Sequence, residues 1–168
     1  MRLRVGRRTK RNIWKGALAG LAAGIAGAVA MEQFQKAWLK VAGGNHPTDS
    51  SDPATVNAAR TFSKYVLHWE IREDQKAAAG EIAHYAVGAL SGAAYGGMAE
   101  VSAAVRAGAG SAYGAGLFVL NDEVIVPAAG WSKAPAAYPV STHVYALASH
   151  VVYGLATEGT RRLIRSVI

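Results

Sequence analysis

Three histidines and four carboxylates stand inside stretches that otherwise hold almost no charge: His84, His143 and His150, with Glu32, Glu81, Asp122 and Glu123. Histidine titrates near pH 6.5 and carboxylates near 4, so a cluster of both changes charge as its surroundings acidify. The chemistry open to such a set is proton handling, as a pH-responsive element or a relay. Glu81, His84, Gly88, Ser91 and Tyr95 follow steps of three and four and share one helical face. His143, Leu147, His150 and Gly154 share another. If these faces meet, the histidines and carboxylates converge. The plainer alternative gives each group an interfacial position or a single structural hydrogen bond. Glu100 and Glu158 are expected to pair with the nearby Arg106, Arg161 and Arg162.

Other chemistries find little footing. Glu81-x-x-His84 has the i, i+3 spacing used in di-iron carboxylate bundles. Those bundles need a second such pair and two further glutamates, and only one copy occurs, so no metal is expected. The chain has no G-x-S-x-G, no phosphate-binding glycine loop followed by Lys and Ser/Thr, and no H-E-x-x-H. It has no cysteine, which excludes disulfides, thiolate metal sites and cysteine nucleophiles. Neither a cofactor nor an enzymatic activity is expected.

The elements that must position these groups are four weakly charged apolar segments. Hydrophobic residues make up 51% of the 168 and charged residues only 17%, against roughly 25% charged in soluble domains. The segments span about residues 14–38, 78–101, 107–127 and 139–159. Trp14 and Trp38 bracket the first, where interfacial aromatics belong. At 1.5 Å per residue it reaches about 36 Å, enough for a ~30 Å hydrocarbon layer. A cleaved signal peptide is the rival reading of this segment, because Ala28-Val29-Ala30 supplies a small-residue pattern. The helical pattern nevertheless continues through Phe34, Ala37 and Trp38. Pro127 with Gly130 ends the third segment, and Pro139 and Ser141 open the fourth, with Ser141 as a cap. The short turn between the second and third predicts an antiparallel hairpin.

Residues 41–77 form a polar loop whose start is rich in Gly, Pro, Asp and Ser. Asp52 is placed to cap a helix with Pro53 at its first position. Val56, Ala59, Phe62, Val66 and Trp69 recur at helical spacing, which predicts an amphipathic helix lying along an interface. Packing of that face on the bundle is the alternative.

Gly16, Gly20 and Gly24 repeat every fourth residue, as do Gly88, Gly92 and Gly96; Gly110, Gly114 and Gly116 lie in the third segment. Inside lipid, helix contact depends on close backbone approach, which small residues permit. These repeats predict tight pairing of the first segment with the second, or of two copies of the chain through one such face. Simple Ala/Gly richness is the alternative.

The net charge of +7 is mostly an end effect. The basic arm, residues 1–13, holds Arg2, Arg4, Arg7, Arg8, Lys10 and Arg11, followed by Lys15; Arg161, Arg162 and Arg165 follow the last segment. Nucleic acid is not expected as a partner, because basic residues abutting apolar runs reflect cytoplasmic retention. The fold expected is an all-α, four-helix transmembrane bundle with a polar outer loop carrying a short amphipathic helix. It forms a single domain of the bacterial inner membrane, with both termini cytoplasmic. Its partners are the lipid bilayer and either a second copy or a larger membrane complex.

The opening GALAGLAAGIAGAVAMEQF, the Ala99-Glu100 close of the second segment, and the break from Pro127 to Gly130 also point to a family. With Ser149-His150-Val151-Val152-Tyr153-Gly154, Glu158 and Arg161-Arg162, they resemble the YagU-like bacterial inner-membrane proteins. The long loop departs from the proline-rich segment expected after the first span. The resemblance implies an inner-membrane location and a link to survival in acid, with no established molecular activity and no active site to carry over. The function expected is a contribution to acid or envelope homeostasis through the His/carboxylate set. An accessory or assembly subunit of a membrane complex is one alternative, and a small proton or ion channel or transporter the other.

Overall fold

Residues 11–42 and 52–168 are described by the computed structural model, and every regular element among them is helical. The basic arm up to residue 10 and the breaker-rich part of the loop, 43–51, lie outside the described residues.

Helix α1 covers Ile13–Val41. Asn12 starts it with extended backbone, and its Oδ1 accepts from the Lys15 N–H at 3.0 Å, satisfying one of the donors a helix start leaves open. The helix crosses Ala28-Val29-Ala30 without a break. Among the described residues it is the one helix both long and apolar enough to cross a membrane. Helices α2, Ala54–Phe62, and α3, Lys76–Val101, follow. The third apolar segment divides into α4, Ser111–Phe118, a wide π-helical stretch, Val119–Ile125, and a last turn, α5, Val126–Ala128. Helix α6, Val140–Val167, closes the chain. Helices α3 and α6 match α1 in length at 26 and 28 residues, but their Gly, His and Glu content leaves them less apolar.

Several local expectations change. Pro53, not Asp52, is the residue before α2, and no side chain caps that helix. The Asp52 carboxylate is instead held by Arg60 at 2.5 Å and Lys76 at 2.8 Å, and two cations hold it more strongly than one amide N–H would. Pro139, not Ser141, precedes α6, again without a side-chain cap, and α6 runs on from residue 159 to Val167. The third segment does not start as a helix at Ala107: the chain turns there, with positive φ at Gly108, Ala109 and Gly110 (59°, 55° and 93°). The helical face from Val56 to Trp69 is also split. Val56 is buried beside Gly80, while Phe62, Val66 and Trp69 are exposed. The π-helical turn Ser63–Leu67 shifts the register by about one residue per turn, which takes Val66 off the 3.6-residue face that Val56 begins.

Helix α1 is the hub. It runs antiparallel to α3 on one side and to α6 on the other, and α4 runs antiparallel to α6 beyond. A Cβ added at Gly20 would stand 2.8 Å from the Gly96 Cα, one at Gly24 2.9 Å from the Gly92 Cα, and one at Gly92 2.5 Å from the Gly24 Cα. The α1 and α3 backbones are therefore in direct contact, a closeness that no other residue allows. A second backbone contact joins α4 to α6: a Cβ on Gly154 would stand 3.0 Å from the Gly114 nitrogen, and one on Gly114 2.8 Å from the His150 carbonyl carbon. Gly116 meets nothing within 4 Å. Helices α3 and α4 run antiparallel across the short turn, but their backbones do not approach as closely as those of α1 with α3 or α4 with α6. Although consecutive, those helices meet through side chains, with Tyr113 Oη donating to the Ser91 carbonyl (2.7 Å) and the Tyr95 and Tyr113 rings 4.6 Å apart. The left-handed turn at 108–110 carries α4 across to α6.

The interior so formed mixes small, aromatic and polar residues. Its buried members include Ala19, Ala23 and Ala28, the larger Met31, Tyr95, Phe118 and Tyr153, and Ser149, His150, Thr157, Glu158, Arg161 and Arg165. The large aliphatic residues lie mostly on the outside: Leu18 is 66% exposed, Ile82 70%, Leu90 69% and Leu163 72%.

Candidate functional site

Helices α3 and α6 both flank α1 without packing closely on each other, and a cleft of about 800 Å³ opens between them. Helix α2 closes one end through Pro53–Ala58, and the π-helical stretch supplies Asn121 and Asp122. Five of the seven chemistry-bearing residues line it: Glu32, Glu81, His84, Asp122 and His150. Tyr85 Oη donates to Glu32, which also pairs with Lys36 one turn along α1. His84 Nε2 lies 3.5 Å from the Ala28 carbonyl. His150 Nδ1 lies 2.9 Å from the Ala146 carbonyl and 3.7 Å from Asp122 Oδ2. The Phe118 ring packs 6.0 Å from the His150 imidazole. Tyr153 crosses the cleft floor, and its hydroxyl donates to the Gly88 carbonyl at 2.7 Å.

Glu123 and His143 are not in the cleft. They form a separate clip between the π-helical stretch and α6, with His143 Nδ1 2.6 Å from Glu123 Oε1 and Nε2 3.2 Å from the Pro135 carbonyl. The two helical faces therefore meet only in part: Glu81, His84 and His150 line one cleft, and His143 stands apart from it. Glu81 and His84 are not joined by further donors, and among the described residues no group of three or more His, Asp and Glu is placed to hold a metal.

The loop side is latched by residues that periodicity did not single out. Trp131 Nε1 donates to Thr61 Oγ1 at 2.9 Å, and Asn57 Nδ2 donates to the Trp131 carbonyl at 3.0 Å. These tie α2 to the connection before α6. Asp52, Glu73, Arg60 and Lys76 tie it to the start of α3. Hydrogen bonding to the Lys76 ammonium holds both the Asp52 and Glu73 carboxyls below their usual range.

At the opposite end, the paired glutamates sit among more arginines than proximity in sequence suggested. Glu158 is bound by Arg161 (2.7 Å) and Arg162 (2.6 Å). Glu100 is bound by Arg165 (2.8 Å), lies 3.6 Å from Arg161, and accepts the Asn12 N–H at 3.1 Å. Arg106 makes no ion pair among the described residues. Arg165 stands 65 positions from Glu100, so only the antiparallel seating of the helices shows the pair.

Compared with protein-family models, with curated proteins and with solved structures, the chain matches none.

Proposed function

We propose that this chain is an integral protein of the bacterial inner membrane, crossing it four times with both termini cytoplasmic, and that it contributes to acid or pH homeostasis through its polar cleft. The membrane reading is supported by the many Leu, Ile and Val side chains on the outside, over an interior rich in Ala, Gly and polar groups. Water would penalise that surface, and lipid would not. Helices α1, α3 and α6, at 29, 26 and 28 residues, extend about 39–43 Å, and the leg from Ser111 to Ala128 about 27 Å. The alternating directions suit four passes. Arg11, Arg106, Arg161, Arg162 and Arg165 collect at one end, which suits the cytoplasmic side. The resemblance to YagU-like proteins supports the same location and the link to acid.

The observation that carries the functional reading is the convergence of Glu32, Glu81, His84, Asp122 and His150 on one cleft. Ionisable groups at membrane depth are costly and mark proton or ion chemistry. Strains carrying His84→Ala with His150→Ala, His143→Ala alone, or the parent chain are compared for survival after acid shock, at matched amounts of membrane-inserted protein. The cleft pair is expected to lower survival and His143→Ala to leave it unchanged. Equal survival of all three strains removes the proton-handling role. Recovery of the protein in the supernatant of a detergent-free lysate removes the membrane reading.

A second reading, an accessory subunit of a membrane complex, is favoured by the exposed run Phe62, Tyr65, Val66, Leu67 and Trp69. Co-purification of a stoichiometric partner in mild detergent, lost when Phe62 and Trp69 are replaced by serine, is its test. Retention of the partner by that variant speaks against docking through this run.

A further inference from the structure

A second cleft, of about 700 Å³, opens at the end of the bundle away from α2. Arg11, Arg106, Arg161, Arg162 and Arg165 line it together with Ser102. These arginines come from the start of α1, the turn after α3 and the last two turns of α6. Glu100 and Glu158 answer two of the five charges, which leaves an excess of three. The two carboxylates also immobilise three of the guanidinium groups: Arg161 gives Nε and Nη2 to Glu158 (2.7 and 3.1 Å), Arg162 gives Nε (2.6 Å), and Arg165 gives Nε and Nη2 to Glu100 (2.8 and 2.9 Å). Tyr95 backs the group, its ring 6.0 Å from the Arg161 guanidinium carbon. Arg11 and Arg106 are exposed at the rim, with no carboxylate partner among the described residues.

The ion pairs account for Arg161, Arg162 and Arg165 being fixed, but the two carboxylates do not balance five guanidinium groups, each of which repels the others. The arrangement fits an incoming anion. Guanidinium forks match the oxygens of a phosphate, and a preorganised set loses little freedom on binding. The volume falls within the ordinary range for small-ligand sites. Val101 and Leu163, both exposed, flank the same end, so a ligand with an apolar tail would find cover beside the charged cleft.

We propose that this cleft binds a phosphate group, carried either by an anionic lipid headgroup or by a small soluble phosphate. The lipid source rests on the membrane reading above, and the phosphate chemistry does not. The full-length chain is purified in a neutral, phosphate-free maltoside detergent, and its thermal unfolding midpoint is followed by tryptophan fluorescence. Inorganic phosphate is titrated at constant ionic strength. Separately, the chain is placed in phosphatidylcholine vesicles with or without phosphatidylglycerol. Arg11→Gln with Arg106→Gln removes the two rim charges without breaking a described ion pair, and Lys64→Gln with Arg72→Gln makes the same charge change at the far end.

The expected result is a midpoint raised by one of the probes. Arg11→Gln with Arg106→Gln should weaken the response at least about tenfold in ligand concentration, as for the loss of a charge-assisted contact, whereas Lys64→Gln with Arg72→Gln should keep it. A response to inorganic phosphate alone assigns a soluble phosphate, and one confined to phosphatidylglycerol vesicles assigns a lipid headgroup. No response to either probe overturns the proposal. So does an undiminished response in the rim variant, or an equal loss in the far-end variant, because either would mean diffuse charge attraction and no site. A chain that needs no detergent yet responds to phosphate would refute the membrane reading and leave the cleft standing.

Discussion

Replacing Gly20 by alanine tests whether the α1–α3 interface is a contact of backbones. The new Cβ would run first into the Gly92 carbonyl oxygen and would also stand 2.8 Å from the Gly96 Cα, against the 3.5–4.0 Å at which carbon pairs are comfortable. No rotamer relieves the overlap, because both partners are main chain, so the helices must part by at least about 1 Å. Overpacking of this kind costs about 1–3 kcal/mol. Alanine regains up to about 1 kcal/mol of helix propensity, which leaves a net loss of about 1–2 kcal/mol. Gly116 provides the control. It also lies in a helix but meets nothing within 4 Å, so Gly116→Ala should be neutral or stabilising by up to about 1 kcal/mol. Unfolding of purified variants with a denaturing detergent in mixed micelles, followed by circular dichroism, measures the difference. A gap of about 1–3 kcal/mol between the two variants is expected. If Gly20→Ala and Gly116→Ala prove equally benign, the four-residue glycine spacing reflects composition and the backbone-contact argument is wrong.

Two further outcomes follow from the ion pairs. The Asp52 carboxyl is held below its ordinary value of 3.8 by the Lys76 ammonium, with Arg60 adding to the effect. A lowered folded-state value means that this contribution is fully present above about pH 4 and fades as pH falls through the lowered value. Protection of the 54–67 amides, taken relative to the exchange of an unstructured chain at the same pH, should therefore fall below pH 4, and Asp52→Asn should show the lowered protection already at neutral pH; unchanged protection in that variant would exclude the latch. Glu158 is 1% exposed and bound by Arg161 and Arg162, so Glu158→Gln, which leaves a buried guanidinium without its carboxylate, should cost about 3–5 kcal/mol. A loss under about 1 kcal/mol in the same unfolding assay would show that water or the neighbouring Glu100 compensates.

The helical class, the near extents of the long helices and the intervals of the glycines were all readable along the chain. Each is a local property: low charge over twenty or more residues, breakers at Pro127 and Gly130, and small residues every fourth position. Which glycine met which was not local. Gly20 and Gly96 face each other because α1 and α3 run antiparallel in one register, whereas Gly116, with the same side chain, faces open space. The chemistry-bearing residues divide in the same way. His84 and His150 could be assigned to faces by spacing alone, but the chain gives no sign of which members of each face would reach a common cleft. The cleft opens where the α3 and α6 backbones stand apart, and it draws in Glu32 and Asp122 while leaving Glu123 and His143 to pair elsewhere. The arginine cleft depends still more on the fold, since Arg11, Arg106 and Arg165 are far apart in sequence. Periodicity records what each helix presents to its surroundings. Which surface answers it depends on the close approach of backbones that glycine permits, and that is settled only when all the helices are seated together.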